Sequence, residues 1–506
     1  MLRTLLRNIL SNWAGFLVEA CVAFYLSPFV IHTLGDTSYG IWILLTSLTG
    51  YFGLLNLGLR PAINKYVAEF AAKGDERRLN ETVNTVLSIY VGLGLVVVLL
   101  SAGLFFSLDS FPVPAELLQN RWVVIIFGLQ VALSLPAVVF GGVLSGMQRY
   151  DIHNAIGVPI NLVRAAVTVL LLPRHPTLMT LASITLGASL ASYVLLAWAA
   201  RRQCPSLKLR LGRSSAETLL MLFRYSGIAA LITLGTRLFF YADSFIVGGL
   251  VSIAAVTHYS IATSLISYVK SFIQESTTML NPAASALAAD AREDKLRTLA
   301  IYSTRLSLAL ALPMTLGLIF LGREFIVLWM GPDYSGSATI LAILAGMLSL
   351  SIAQTGTVSI LYGLGRHNTF VKLVMVEGVL NVGLSIALGS VWGLLGVALG
   401  NGIASSVLGV VLLPRLVCRE MSIPLGTYFR EAFLAPLLSA IPMALVLAVM
   451  VGTPSSYSWP HFIGRGLVAV GVYAPVAFFC CLNASERGRA YWLVRRLLST
   501  LSARWS

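Results

Sequence analysis

Fourteen runs of about twenty apolar residues, parted by short charged or Gly/Pro-rich loops, make up most of this chain. About 20 residues of helix cross the ~30 Å hydrocarbon core of a bilayer, so each run is long enough to span it. The runs, numbered here as spans 1 to 14, lie at about 9–31, 40–62, 82–106, 121–146, 152–172, 177–199, 226–250, 257–285, 298–321, 337–362, 369–389, 392–414, 431–451 and 463–483. Of the 506 residues, 57% are hydrophobic and 11% charged, against roughly a quarter charged in a soluble domain. That much apolar surface cannot be hidden in water. A soluble enzyme, a disordered chain and a disulfide scaffold are excluded, and an all-α integral membrane protein is expected. The first run follows Arg3 and Arg7 but is long for a signal peptide and lacks a small-x-small cleavage site. It is read as a retained helix.

The net charge of +14 is explained by topology. With the N-terminus inside, 28 of the 35 basic residues fall in or beside cytoplasmic connections and four (Arg121, Arg174, Arg323, Arg465) on the opposite face; Arg164, Arg237 and Lys270 lie deep within spans. This asymmetry follows the positive-inside rule and predicts both termini in the cytoplasm, without any nucleic-acid partner. The tail 486–506 is basic and alternates Trp492, Leu493, Leu497 and Leu498 with Arg495 and Arg496. An interfacial helix and a frayed basic tail both fit that pattern. The five cysteines have no metal-ligand spacing and read as free thiols.

The chain repeats itself at an offset of 217 residues. Ala71–Leu79 after span 2 is matched by Ala288–Leu296 after span 8, and Val143-Leu-Ser-Gly-Met-Gln-Arg149 by Ile360-Leu-Tyr-Gly-Leu-Gly-Arg366. Six spans separate the copies, so both have the same orientation. Parallel repeats of this kind form transporters with the substrate site between the halves. The expected organisation is a six-helix lobe at 1–200, a cytoplasmic connector at 201–225 and a second six-helix lobe at 226–415. Spans 13 and 14 follow at 416–485, then the tail at 486–506.

Leu34-Gly35…Tyr39-Gly40-Ile-Trp42, Tyr51-Phe52…Leu57-Gly58-Leu59, the Gly-x-x-Arg ends at Arg149 and Arg366, and Leu328-Trp329-Met-Gly331-Pro-Asp-Tyr334 resemble the polysaccharide transporter family. That family shares a superfamily with multidrug-and-toxin extruders and lipid II flippases. The resemblance covers essentially the whole chain, with fourteen spans in place of the extruders' usual twelve. It implies a central cleft between the lobes. It further implies a non-enzymatic flippase in the bacterial cytoplasmic membrane, moving undecaprenyl-pyrophosphate-linked oligosaccharide by alternating access for O-antigen, capsule or exopolysaccharide synthesis. The implied partners are the lipid-linked substrate, membrane lipids and the polymerase and glycosyltransferase machinery.

Ionisable groups at membrane depth cost about 2.5–3.5 kcal/mol each on insertion scales and so face a cavity or a partner. Glu19, Arg164, Arg237 and Lys270 fall near the midplane of spans 1, 5, 7 and 8; Asp243 lies nearer the outer side, Glu275 nearer the inner, and Glu377 in the inner half of span 11. Asn56, Gly58 and Pro61 predict a kink or partial unwinding of span 2 beside Arg60 and Lys65. In the cleft reading, Arg60, Arg237 and Lys270, with Asn56 and Gln274 on the same helix faces and Arg164 as a further cation, bind pyrophosphate and sugar. Arg suits this role because its fork holds two phosphate oxygens. The structural alternative pairs Arg237 and Lys270 with Glu19, Asp243 or Glu275, and lets Arg60 and Lys65 snorkel to the inner headgroups. Glu19 and Asp243, in the first helix of each lobe, are candidates for H+ or Na+ coupling. Glu377 reads as structural, and the glycines of spans 10–12 as packing contacts.

No phosphate-loop motif, His-Glu-x-x-His motif or serine nucleophile motif occurs, so neither a cofactor nor a metal is expected. A cation-coupled multidrug exporter and, in another class, a membrane-embedded glycan-processing enzyme are the alternatives. The short outer loops, about fifteen residues at most, weigh against the enzyme.

Overall fold

The structure, a computed structural model, describes the chain apart from residues 1, 57, 112, 211–214, 216, 225, 228–240, 278–279, 281–283, 286, 288–292, 366, 453–456, 484–485 and 489–506. The described residues contain helices and connections but no strand. Twelve helices are long and apolar enough to cross a membrane, and they coincide with spans 1–6 and 9–14. Span 7 is described as the helix Ala242–Leu250. Span 8 is the helix Ile253–Thr277, 25 residues long but diluted by Lys270, Glu275 and a series of Ser and Thr. The tail from 489 onward lies outside the described residues.

Several helices outrun their apolar segments. Span 3 starts at Glu76, capped by Asp75, whose carboxylate accepts from the Arg78 backbone N–H at 3.0 Å. At 1.5 Å per residue, the 38-residue helix of span 9, Glu293–Met330, is about 57 Å long and must project beyond a ~30 Å core. Its charged start supplies the projecting part. The surface carries the apolar bulk: Leu95, Leu99, Leu100 and Phe106 of span 3 and Leu445, Val449 and Leu467 of spans 13 and 14 are exposed, whereas Thr82, Asn84, Thr85 and Ser101 are buried. A lipid solvent favours this inversion, because apolar side chains are compatible with hydrocarbon and small side chains let helices pack closely inside.

The chain divides into two compact units, 1–257 and 258–506. In the first, Leu59, Ile63 and Val67 of span 2, Val83, Val86 and Tyr90 of span 3, Leu135, Val139 and Val143 of span 4, and Leu196 and Ala200 of span 6 form one core. Span 4 approaches span 2 closely: a Cβ on Gly142 would lie 2.7 Å from Ile63. The described part of span 7 lies in this unit against span 2, with the Tyr241 and Phe245 rings each 5.7 Å from Tyr51. The connector is fastened to span 3 by two asparagines one turn apart. Asn80 donates to Ser206 O at 2.9 Å and accepts from Lys208 N at 2.6 Å; Asn84 donates to Lys208 O and accepts from Arg210 N, both at 2.8 Å. These amides act on an extended segment as a neighbouring strand would.

In the second unit, spans 9, 10, 12, 13 and 14 share one core around Leu308, Ile360, Val417, Tyr428, Leu447 and Ala469. A Cβ on Gly396 would meet Leu388 O at 2.0 Å and one on Gly400 would meet Ser385 N at 2.5 Å, so these glycines of span 12 are packing contacts against span 11. Gly383 faces open space and Gly346 makes only ordinary contact. Span 14 is tied to span 9 at three levels: the ion pair Arg465–Glu324 at 3.0 Å, the Tyr473 hydroxyl donating to Ala309 O at 2.6 Å, and Arg305–Glu486 at 3.5 Å.

The 217-residue repeat is structural. Spans 4 and 10 end at Gly146 and Gly363, 217 residues apart. Gln148 and Gly365 occupy the same left-handed turn, at φ 59° and 69°. The copies differ in several places: span 2 breaks at Gly53–Asn56, whereas the matching residues 270–273 lie inside the unbroken helix Ile253–Thr277. Span 4 is one helix, Trp122–Gly146, while span 10 breaks at Gln354 into Ser337–Ala353 and Thr355–Gly363. Span 6 is one α-helix, Leu178–Gln203, while span 12 contains a π-helical turn at Val407–Leu412.

Candidate functional site

The interruption of span 2 is as the sequence suggests. The helix Asp36–Phe52 gives way to a 3₁₀ turn at Gly53–Asn56, Gly58 adopts φ 65°, and a second helix runs Leu59–Lys73. Pro61, in the first turn of that second helix, has no N–H to satisfy there. The break frees backbone groups, and one of them, Asn56 O, accepts a 2.9 Å hydrogen bond from the buried Tyr90 hydroxyl. Arg60 follows the break with its side chain exposed, and its charge reaches Tyr90 and His153. Asn56 Oδ1, Asn64 Oδ1 and His153 Nδ1 are buried without a hydrogen-bond partner. Arg60 is therefore within electrostatic reach of Tyr90 on span 3 and His153 on span 5. His153 reads from sequence as an ordinary interfacial residue, because nothing local signals that it lies within reach of Arg60. Lys65 lies over the Tyr66 ring, 4.9 Å from its centroid.

Arg164 of span 5 directs Nε and Nη2 to Asn161 Oδ1 at 3.2 and 2.8 Å, and Glu19 of span 1, itself exposed, is within electrostatic reach. Asp243 is buried at the start of the span 7 helix, where its charge reaches Tyr51. Arg237 lies outside the described residues.

In the second unit, Ala262, Ile266, Val269 and Ile273 of span 8 are buried, while Ser267, Lys270 and Gln274 are exposed. The exposed face is thus polar through the middle of a membrane-length helix, opposite in character to the exposed faces of spans 3, 13 and 14. Lys270 has an acid within electrostatic reach, Glu377 of span 11, which accepts from the Ser405 hydroxyl at 2.8 Å. Glu275 is half-buried. Lys270 is thus within electrostatic reach of Glu377, and Arg164 of Glu19, across 107 and 145 residues of chain and with no local sequence signal. Among the described residues, no three His, Cys, Asp or Glu side chains are grouped to hold a metal.

This arrangement of spans is a transporter and flippase fold. The structure superimposes on the lipid II flippase MurJ in an inward closed conformation with a TM-score of 0.73, at 14% identity, covering 94% of this chain and 98% of that one. An inward-facing multidrug resistance MATE family transporter of the MOP superfamily matches at 0.67, with 15% identity over 80% of this chain and 96% of that one. The chain belongs to the polysaccharide biosynthesis protein family, whose model matches residues 71–339, just over half of its length. It is similar to the uncharacterized membrane protein EpsK of Bacillus subtilis (strain 168), 24% identical over 486 residues, 95% of this chain and 96% of that protein. A putative O-antigen transporter of Salmonella typhi is 27% identical over 100 residues, 20% of this chain and 22% of that protein.

Proposed function

We propose that this protein flips an undecaprenyl-pyrophosphate-linked oligosaccharide across the bacterial cytoplasmic membrane, inner leaflet to outer, for surface polysaccharide synthesis. The observation that carries the reading is the exposed Ser267–Lys270–Gln274 face of span 8. A lipid-facing surface would be apolar there, so an exposed cation and amide at that depth call for a wet passage. Lys270 and Arg60, with Arg237 and Arg164, neutralise the pyrophosphate, while Gln274 and Asn56 hydrogen-bond phosphate and sugar. The prenyl tail stays in lipid. The lobes 1–200 and 226–415, joined by the connector 201–225, rock to alternate access, and 416–485 belongs with the second lobe. Glu19 and Asp243 are the candidates for H+ or Na+ coupling; both termini are cytoplasmic, and the product passes to the polymerase.

Reconstituted vesicles carrying lipid-linked oligosaccharide test this directly. Lys270→Ala with Arg237→Ala is expected to lower the flipping rate at least tenfold at equal protein content. Unchanged flipping removes the role of the cationic set. Covalent change in the labelled lipid, rather than a change in its sidedness, would instead identify a glycan-processing enzyme. Efflux of organic cations without sugar-lipid flipping would identify a drug exporter.

A further inference from the structure

Two departures from the internal repeat, the break in span 10 and the π turn in span 12, meet at one buried polar node. Tyr428 of span 13, Thr304 of span 9, and Gln354 and Thr357 of span 10 are all fully buried. The Tyr428 hydroxyl donates to Gln354 Oε1 at 3.0 Å, and Gln354 Nε2 donates to Gly409 O, inside the π turn, at 3.1 Å. Tyr428 has one hydrogen, so Thr304, 2.8 Å away, donates to it, and Thr357 donates to Thr304 at 2.6 Å. The result is one directed chain from Thr357 to the Gly409 carbonyl through four helices. Gly409 itself permits the approach of spans 10 and 12, since a Cβ there would lie 2.5 Å from Ser351 Cα.

The first copy of the repeat is the internal control. The counterparts of Thr304, Gln354 and Thr357, 217 residues earlier, are Leu87, Ala137 and Phe140, all buried and apolar. There span 4 runs unbroken and span 6 has no π turn. Those six-span positions are polar only in the copy that span 13 packs against. The inner half of span 10, which begins at this break, ends at Gly363, and Gly363 O accepts at 2.8 Å from the hydroxyl of Ser285, eight residues past the described helix of span 8.

From this we infer that span 13 is a brace rather than an accessory. Tyr428 is a positioning residue: through Gln354 and Thr357 it sets the bend of span 10 and thereby the seat of span 8, whose exposed face carries Lys270 and Gln274. The effect on transport rests on the flippase reading, whereas the effect on geometry does not.

The experiment therefore has two arms, run on the full-length protein with its five native cysteines replaced. Spin labels at Leu306→Cys on span 9 and Tyr362→Cys at the inner end of span 10, both at exposed positions, report the bend by pulsed EPR; flipping of lipid-linked oligosaccharide is measured in vesicles. Tyr428→Phe is expected to shift or broaden the distance distribution and to lower flipping at least tenfold. An unchanged distribution overturns the brace, and a shifted distribution with unchanged flipping overturns its role in transport. If the unsubstituted protein flips nothing, the flippase reading fails while the EPR arm still decides the brace. Should Tyr428→Phe not fold, the apolar node Thr304→Val/Gln354→Leu/Thr357→Val/Tyr428→Phe replaces it, because removing the four side-chain polar groups together leaves only the Gly409 carbonyl without its donor. Recovery of the unsubstituted distance distribution in that variant overturns the proposal; a folded protein with a displaced span 10 supports it.

Discussion

At Gln148 a side chain with a Cβ sits at φ 59° where the second copy has Gly365 at 69°. Left-handed backbone costs an L-residue about 1–2 kcal/mol, while glycine gives back some of that through its looser unfolded state. Gln148→Gly is therefore expected to raise stability by up to about 1 kcal/mol, and Gly365→Gln to lower it by about as much, in thermal unfolding of the detergent-solubilised protein. A second residue-scale test concerns Glu324, whose Oε2 is held by Arg465 at 3.0 Å and whose Oε1 is buried without a partner. Breaking a buried pair from one side costs about 3–5 kcal/mol, whereas replacing both members by apolar residues is often neutral. Arg465→Met is thus expected to destabilise strongly, and Glu324→Leu/Arg465→Met to recover most of the loss. The sequence marks Arg465 only as an outer-face cation, because the ring of contacts that buries Glu324 comes from a helix more than a hundred residues away.

Span 8 shows how an element's two faces assign its surroundings. Its buried positions are Val256, Ala262, Ile266, Val269 and Ile273, and its exposed ones Ser267, Lys270 and Gln274, a division with helical spacing. Single cysteines at 267, 270 and 274 are expected to react with a hydrophilic thiol reagent added to inside-out vesicles, and those at 266, 269 and 273 to stay protected. Uniform protection would mean that the polar face is sealed. The connector is a second such element: its backbone is matched by Asn80 and Asn84, each through both polar atoms of the amide. Asn80→Ala/Asn84→Ala removes the four hydrogen bonds to the connector, each worth about 1 kcal/mol net of the exchange with water, and is expected to make the connector a preferred site of limited proteolysis.

For the whole molecule, the helix pattern and the charge asymmetry lead to a topology that can be measured. Membrane-impermeant reagents applied to intact cells are expected to label cysteines placed in the loops at 107–120 and 322–336, and not in 71–81 or 201–210. Labelling of the second pair from outside would reverse the orientation. The 217-residue repeat makes the two halves comparable position by position, and two of their divergences, at Gln354 and at 407–412, lie in the spans whose core residues spans 13 and 14 share.

Most of the architecture was legible in the chain because lipid imposes a simple rule: a helix must be about twenty apolar residues long, and its flanking cations stay inside. The spans, the repeat and the interruption at Asn56–Pro61 follow from local composition and from the backbone limits of Gly and Pro. Packing alone decided the partners. Lys270 comes within electrostatic reach of Glu377, Arg164 of Glu19, and His153 of Arg60, although nothing in their immediate neighbours distinguishes these residues from other polar groups in spans. Tyr428 is the clearest case, an unremarked aromatic in sequence whose hydroxyl closes a chain of hydrogen bonds across four helices. A hydrophobic pattern states which residues leave water, but which of them meet depends on helix rotation and crossing, and those are settled only when the helices pack.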